Sequence, residues 1–290
     1  MQNKIWIKGK TCMITGANTG IGKETAKKIA ALESHVVMVC RNPEKGELAR
    51  KEIIESTNNQ NIDLLTCDLS SLKDVRRFAE EFRMNYTNLH ILINNAGVFR
   101  MKREVSEDGY ELTFAVNYLA HYYLTTHLLP LLKKSSPSRI VNVSSDIHKY
   151  FKIKLKDPLL EKRYSGQQAY SNSKTAMVLL SNKLVRELEG SRVSVFTVSP
   201  GHVKTQLTTA GLPKWFRKMS DSMPHRRTPA EGAEPSVYAA VSSSLEGLTG
   251  LYLSGCKESK SAKMTRNPVN QDYLWDLSEV LVSRALNKED

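Results

Sequence analysis

Seven short apolar runs recur along this chain, each followed by a stretch long enough for a helix. They are TCMIT from Thr11 to Thr15, HVVMVC at 35–40, IDLLTC at 62–67, HILINN at 90–95, RIVNVS at 139–144, RVSVFTVS at 192–199 and GLYLS at 250–254. Apolar runs without a strict polar alternation are what strands covered on both faces require. The stretches between them carry helical spacing, as in the amphipathic segment that begins near Gly20 and in SSLKDVRRFAEEF. The pattern predicts an α/β chain: one doubly wound domain over residues 1–290 around a central, mostly parallel, seven-stranded sheet. Right-handed crossovers bring the carboxyl ends of such strands to one edge. TGANTGIG, Asp68, NNAG, Ser145 and SPG are therefore expected along a single cleft.

Length and composition agree with one large core, since 290 residues at 40% hydrophobic content show no repeat and no low-complexity tract. A net charge of +12 would attract anions, but Lys and Arg are spread along the chain and no nucleic-acid motif accompanies them, so no nucleic-acid partner is expected. Cys12, Cys40, Cys67 and Cys256 form no C-x-x-C pair, which predicts buried thiols in a reducing compartment and no metal site. No stretch reaches the length of a membrane span, and MQNKIWIKGK lacks a secretory apolar region, so a cytoplasmic location is expected.

Two short patterns carry chemistry. In TGANTGIG a strand meets a glycine turn and then a helix, the order that a dinucleotide site requires. Gly16 suits the tight turn, Gly20 lets backbone approach a pyrophosphate, and Gly22 permits close packing of helix on strand. The spacing G-x-x-x-G-x-G departs from the commoner G-x-G-x-x-G, and a purely structural turn is the alternative. In YSNSK, Tyr170 and Lys174 lie one turn apart on one helix face, so a phenol and an ammonium can share a site. The ammonium is expected to favour the phenolate, making Tyr170 a general acid/base that protonates a carbonyl oxygen as hydride reaches the carbon. Ser145 would supply a second hydrogen bond to that oxygen.

TGANTGIG, NNAG at 94–97, Asn117, Ser145, Tyr170 with Lys174, and SPGHVKT at 199–205 follow the order of the short-chain dehydrogenase/reductase family, which the chain resembles from about residue 9 to 253. CRN at 40–42, NYLAHYYLT at 117–125 and the long gap between Ser145 and Tyr170 are most similar to the retinol dehydrogenase-like branch. The resemblance implies a Rossmann fold and an oxidoreductase whose catalytic group is Asn117, Ser145, Tyr170 and Lys174. It places a nicotinamide dinucleotide against Gly16, Asn18, Thr19, Gly20, Ile21, Gly22, Asp68, Leu69, Asn94, Ala96, Gly97, Tyr170, Lys174, Pro200, Gly201, Val203 and Thr205. Asp68 would meet the adenine, with capping of the next helix as its alternative role. Asn117, an amide in an otherwise apolar helix, needs partners and by resemblance would fix a water that links Lys174 to solvent. The same source implies a homodimer or homotetramer built on the long helices around Asn117 and Tyr170.

An NAD enzyme usually carries Asp or Glu at the end of the second strand, where this chain has Cys40, Arg41 and Asn42. Arg41 could bind a 2′-phosphate, which favours NADP(H) over NAD(H), although Thr19 lacks the basic side chain many NADP members carry there. A solvated surface arginine is the alternative. His121 and His127 are expected as packed helix histidines, whereas His148, three residues after Ser145, is a candidate for the substrate pocket together with Ser145. Residues 146–165 form an excursion near that pocket. Residues 206–228 form a capping segment with Leu207, Leu212, Trp215, Phe216 and Met219 beside Lys214, Arg217, Lys218, Arg226 and Arg227. An apolar cap predicts a small lipophilic alcohol, aldehyde or ketone, such as a retinoid, steroid or lipid aldehyde; peripheral membrane contact and a plain loop are alternatives. Steroid or quinone reduction, and a non-catalytic dinucleotide-binding scaffold, are the competing functions.

Overall fold

All seven apolar runs form strands in the computed structural model, which describes residues 6–203 and 227–287. They are β1 (Thr11–Thr15), β2 (His35–Cys40), β3 (Ile62–Thr66), β4 (Ile91–Asn94), β5 (Ser138–Val143), β6 (Val193–Ser199) and β7 (Tyr252–Ser254). Their pairings are all parallel, in the order β3-β2-β1-β4-β5-β6-β7. An eighth strand, β8 (Lys257–Ser259), extends the edge antiparallel to β7. Its sequence, KES, has no apolar run because it is an edge strand with two exposed residues. The turn between the two runs through Gly255 and Cys256, both at positive φ.

The helices are α1 (Gly20–Ala30), α2 (Pro43–Thr57), α3 (Leu72–Asn85), α4 (Leu112–Phe114), α5 (Ala120–Lys134), α6 (Gly166–Glu187), α7 (Pro229–Val241) and α8 (Pro268–Leu286). A π-helical turn, Ala115–Leu119, joins α4 to α5. Alternation along the inner strands supplies two cores: Met13, Val37 and Leu92 pack with Phe78, Leu128, Met177 and Leu274, whereas Ile14, Val36 and Ile93 pack with Ile29, Ile53 and Ala240. Both faces are therefore covered, as the sequence pattern requires. Strand order reverses beside β1, between β2 and β4, so the carboxyl ends of β1 and β4 open the crevice in which such sheets bind ligands.

Helix α8 lies over the face made by the π turn, α5 and α6. Tyr118 and Ser278 hydroxyls are 2.7 Å apart, the Trp275 ring meets Tyr122 edge-on at 5.0 Å, and Asp272 pairs with both Arg186 and Lys183. The helices on which the resemblance places subunit contact are thus partly covered from within the chain. Residues 146–165 begin with a 3₁₀ turn, Asp146–Lys149, and then follow the start of α6. Ser171 Oγ donates to Phe151 O, Gln168 Nε2 to Lys152 O and Asn172 Nδ2 to Pro158 O. Thr205 and residues 206–226 of the expected cap fall outside the described residues. Among the described residues no helix is long and apolar enough to cross a membrane, no cluster of metal-ligating side chains occurs, and the four cysteines are free.

Candidate active site

The glycine turn is built by crowding. Gly16 has φ 67°, and a Cβ there would lie 2.9 Å from Ala96 Cα; a Cβ on Gly22 would lie 2.2 Å from Gly16 O. Gly20, at φ 55°, ends the turn. Helix α1 then starts behind Thr19, the N-cap residue, whose side chain makes no capping bond, and its first turn carries no acidic residue. Its leading amides and positive dipole end are left for an anion at a place where backbone packs too tightly for side chains, which fits a dinucleotide pyrophosphate. Asn18 is half-buried and Thr19 exposed on this turn, with Ile21 packed near Val203 and Gly232. In Gly22→Ala the new methyl must push α1 away from the turn by about an ångström. The expected result is a loss of about 1–3 kcal/mol of stability together with loss of measurable dinucleotide binding, read by thermal melting and fluorescence titration.

The NNAG segment divides its work between two asparagines. Asn94 ends β4 and is 1% exposed; its amide nitrogen donates to Thr125 Oγ1 and Asn142 Oδ1, so both of its hydrogens are spent inside the fold. Asn95, not among the residues expected at the site, ties the loop to the glycine turn: its Nδ2 donates to Thr15 O at 2.8 Å, and its main-chain N–H donates to Thr15 Oγ1 at 2.9 Å. Strand alternation was the available signal, since the last strand residue turns into packing and the next is free of it. Ala96 N–H also donates to Thr15 Oγ1, and Gly97 borders both Asn117 and Lys174.

Helix α6 is clamped to the end of β5. Ser144 Oγ donates to Lys174 O at 2.8 Å, and Lys174 Nζ donates to Val143 O at 2.9 Å, which brings Ser145 beside the helix face that carries Tyr170. Lys174 is 4% exposed, with Nζ 5.6 Å from the centroid of the Tyr170 ring. Tyr170 is half-buried, and Phe99 packs edge-on against it at 5.7 Å. Burial pushes Tyr170 up to about 12 and Lys174 down to about 8. The expected lowering of the phenol by the ammonium is absent because desolvation of both groups outweighs their attraction. Asn117 is fully buried in the π turn, a helix form often found at functional sites. Its amide contacts Val98 and Ser173.

Ser145 caps the 3₁₀ turn that follows it. His148 Nδ1 is 2.7 Å from Ser145 O, and His148 Nε2 accepts from Ala262 N–H at 3.2 Å. Both ring nitrogens are engaged and the residue is 2% exposed, so His148 offers a substrate no free polar atom. It braces Ser145 from behind. Asp146, unremarked in the sequence, does the same: its carboxylate accepts from Ser199, Ser254 and Tyr252 and pairs with Lys149. Against the upward push of burial, the Lys149 contact and the two serine hydroxyls hold it down at about 2, which fixes the end of β5 to β6 and β7. His127 packs on α5 with Nδ1 3.1 Å from Tyr123 O.

Just past β2, Arg41 is exposed and makes no hydrogen bond or ion pair among the described residues. Asp68 accepts from the Ser70 N–H and hydroxyl, while the cap of α3 falls to Ser71, so Asp68 caps a turn and leaves the helix to its neighbour. Leu69 is buried beside it. Past β6, Pro200 is buried, Gly201 takes φ 79°, and Val203 packs on Gly232. Arg227 Nη1 donates to Pro200 O at 3.4 Å.

A parallel sheet with a glycine turn at its switch point, and Ser, Tyr and Lys at the neighbouring strand end, defines a dinucleotide-dependent oxidoreductase. The chain belongs to the short-chain dehydrogenase/reductase family, whose model, described as short chain dehydrogenase, matches residues 10–214. It is 41% identical to human retinol dehydrogenase 12 over 279 residues, covering 96% of this chain and 87% of that protein. Mouse retinol dehydrogenase 11 is 40% identical, with 95% and 87% covered. Among solved structures, an uncharacterised protein from Mycobacterium paratuberculosis superposes with a TM-score of 0.78 at 30% identity, covering 96% of this chain and 94% of that one. A short chain dehydrogenase from Escherichia coli CFT073, solved with NADPH, has a TM-score of 0.70 at 24% identity, covering 87% and 99%, and shares the fold.

Proposed function

We propose that this oxidoreductase uses NADP(H) to interconvert a lipophilic alcohol with its aldehyde or ketone, a retinoid or lipid aldehyde first among them. The observation that carries the reading is the joint placement of Ser145, Tyr170 and a buried Lys174 by the β5–α6 clamp, beside the glycine turn. The relatives named retinol dehydrogenases supply the substrate class. Bound along Gly16, Gly20, Gly22, Ala96, Gly97 and Gly201, the dinucleotide would supply or accept hydride. Ser145 Oγ donates to the carbonyl oxygen and orients it. Tyr170, protonated at neutral pH because burial holds it near 12, gives that oxygen its proton. Lys174, lowered to about 8 by burial, hands the resulting tyrosinate a proton drawn from solvent past the Asn117 carbonyl. The exposed Arg41, unpaired among the described residues, supports a 2′-phosphate, and no carboxylate stands at the end of β2 to repel it.

The test is oxidation of NADPH and NADH by the purified protein against retinal, aliphatic aldehydes, steroid ketones and quinones. Turnover with NADPH and a lipid aldehyde is expected; dinucleotide binding with no turnover on any of them would favour a non-catalytic scaffold. Arg41→Asp is expected to weaken NADPH about tenfold to a hundredfold, the worth of a charge-assisted hydrogen bond, with NADH little changed. Equal effects on both cofactors would remove the 2′-phosphate assignment.

A further inference from the structure

Asn117 has no side-chain hydrogen left for a proton path. Its Oδ1 accepts from Val98 N–H at 2.7 Å, and its two amide hydrogens go to Val98 O and Ser173 Oγ, each at 3.0 Å. What it has left is the main-chain carbonyl. His121, fully buried one turn along the helix, reaches that oxygen with Nδ1 at 3.1 Å, while its Nε2 lies 2.9 Å from Thr15 Oγ1.

The hydrogen-bond inventory fixes the direction of both contacts. Thr15 Oγ1 accepts from Asn95 N–H at 2.9 Å and Ala96 N–H at 3.0 Å, which uses both of its lone pairs. Its own hydrogen must then be donated, and His121 Nε2 at 2.9 Å is a far better acceptor than Ile93 O at 3.5 Å. Nε2 is therefore bare, and Nδ1 carries the hydrogen that is donated to Asn117 O. One neutral ring joins the last residue of β1, on which the glycine turn and NNAG loop both hang, to the main-chain carbonyl of Asn117, whose side chain borders Gly97 together with Lys174 Nζ.

We propose that His121 is a positioning residue for the proton path: locked as the neutral Nδ1–H tautomer, it holds the Asn117 carbonyl in register with the glycine turn and Lys174. This rests on the catalytic reading given above. Burial lowers the ring to about 4, and the Lys174 ammonium, acting on it from α6, pushes the same way against the Asn117 carbonyl. The ring therefore stays neutral above about pH 4, across the range in which Lys174 gains and loses its charge near 8.

Three variants separate the two contacts by reach. His121→Asn keeps an amide nitrogen near the Nδ1 position, and so the Asn117 contact; His121→Gln reaches Thr15 and loses Asn117; His121→Leu loses both. With the carbonyl that the parent turns over fastest, kcat is expected to fall about tenfold or more in the Gln and Leu variants, with a displaced alkaline limb of the pH profile, and to recover most of its value in Asn. Long-range proton–nitrogen NMR of histidine-labelled protein should show His121 as the Nδ1–H tautomer with no titration between about pH 5 and about pH 8. An Nε2–H tautomer, a titration in that range, or unchanged kcat and pH profile in the Gln variant overturns the proposal; if the Leu variant fails to fold, the Asn and Gln pair decides. Tyr170→Phe is the control for the catalytic reading: if it stays active that reading fails, and if it is inactive while His121→Gln is not, only the role of His121 fails.

Discussion

Replacing Tyr170 with phenylalanine is expected to lower kcat for carbonyl reduction about a thousandfold, within the range of a lost general acid, while NADPH affinity and melting temperature stay close to the parent's. The phenol hydroxyl makes no hydrogen bond to any described residue, and the ring is held by its edge contact with Phe99 and by the helix. Its removal therefore leaves no partner unsatisfied. Because burial keeps the phenol protonated up to about 12, the parent is a ready proton donor across neutral pH, and reduction needs no ionised tyrosine. The limit on the alkaline side comes from Lys174: its ammonium is present below about 8 and lost above it, so the reduction rate of the parent should be level near neutrality and fall above about pH 8. A Tyr170→Phe enzyme as fast as the parent would sink the acid assignment. A rate loss that tracks a fall in melting temperature would reassign the ring to packing.

Much of this site is legible in the sequence because it depends on local constraints. The buried strands announce themselves through side chains that pack on both faces, and the glycine turn and the Tyr170–Lys174 spacing follow from backbone and helix geometry. What escapes is set by partners distant in sequence. His148 stands three residues from Ser145, which placed it in the pocket, yet Ala262, 114 positions away, occupies its second nitrogen. Asp146 reads as an ordinary loop carboxylate until β6 and β7 bring Ser199, Ser254 and Tyr252 to it. Asn94 and Asn95 are indistinguishable by type, and only the end of β4 separates a packed amide from a loop tie. The Tyr170–Lys174 spacing speaks only of charges one helical turn apart. Burial of both groups, a property of the whole fold, reverses the direction of the tyrosine shift. Strand β8 escapes for the opposite reason: as a short polar edge it buries too little to mark its sequence.

Lys174→Met should abolish turnover about as completely as Tyr170→Phe, yet leave the protein as stable as the parent or more so at neutral pH. The ordinary lysine value of 10.5 falls to about 8 through burial, which corresponds to about 3 kcal/mol against holding the charge in this site. The folded chain binds fewer protons than the unfolded chain between about pH 8 and about pH 10.5. The penalty is therefore fully present below about 8 and is relieved as pH rises through that window. Methionine matches the length of the stem and removes the charge, but it leaves Val143 O without its donor, a loss of about 1–3 kcal/mol. The two effects oppose each other, so the variant should melt at or above the parent near pH 7, and its relative stability should shrink as pH approaches 10.5. Thermal melts of both proteins across that range, with NADPH turnover beside them, decide the matter. A variant that is less stable at neutral pH by an amount that does not change with pH would mean that Lys174 is held for structure. An inactive variant at least as stable as its parent at neutral pH means that the fold tolerates a costly buried cation because the reaction uses it.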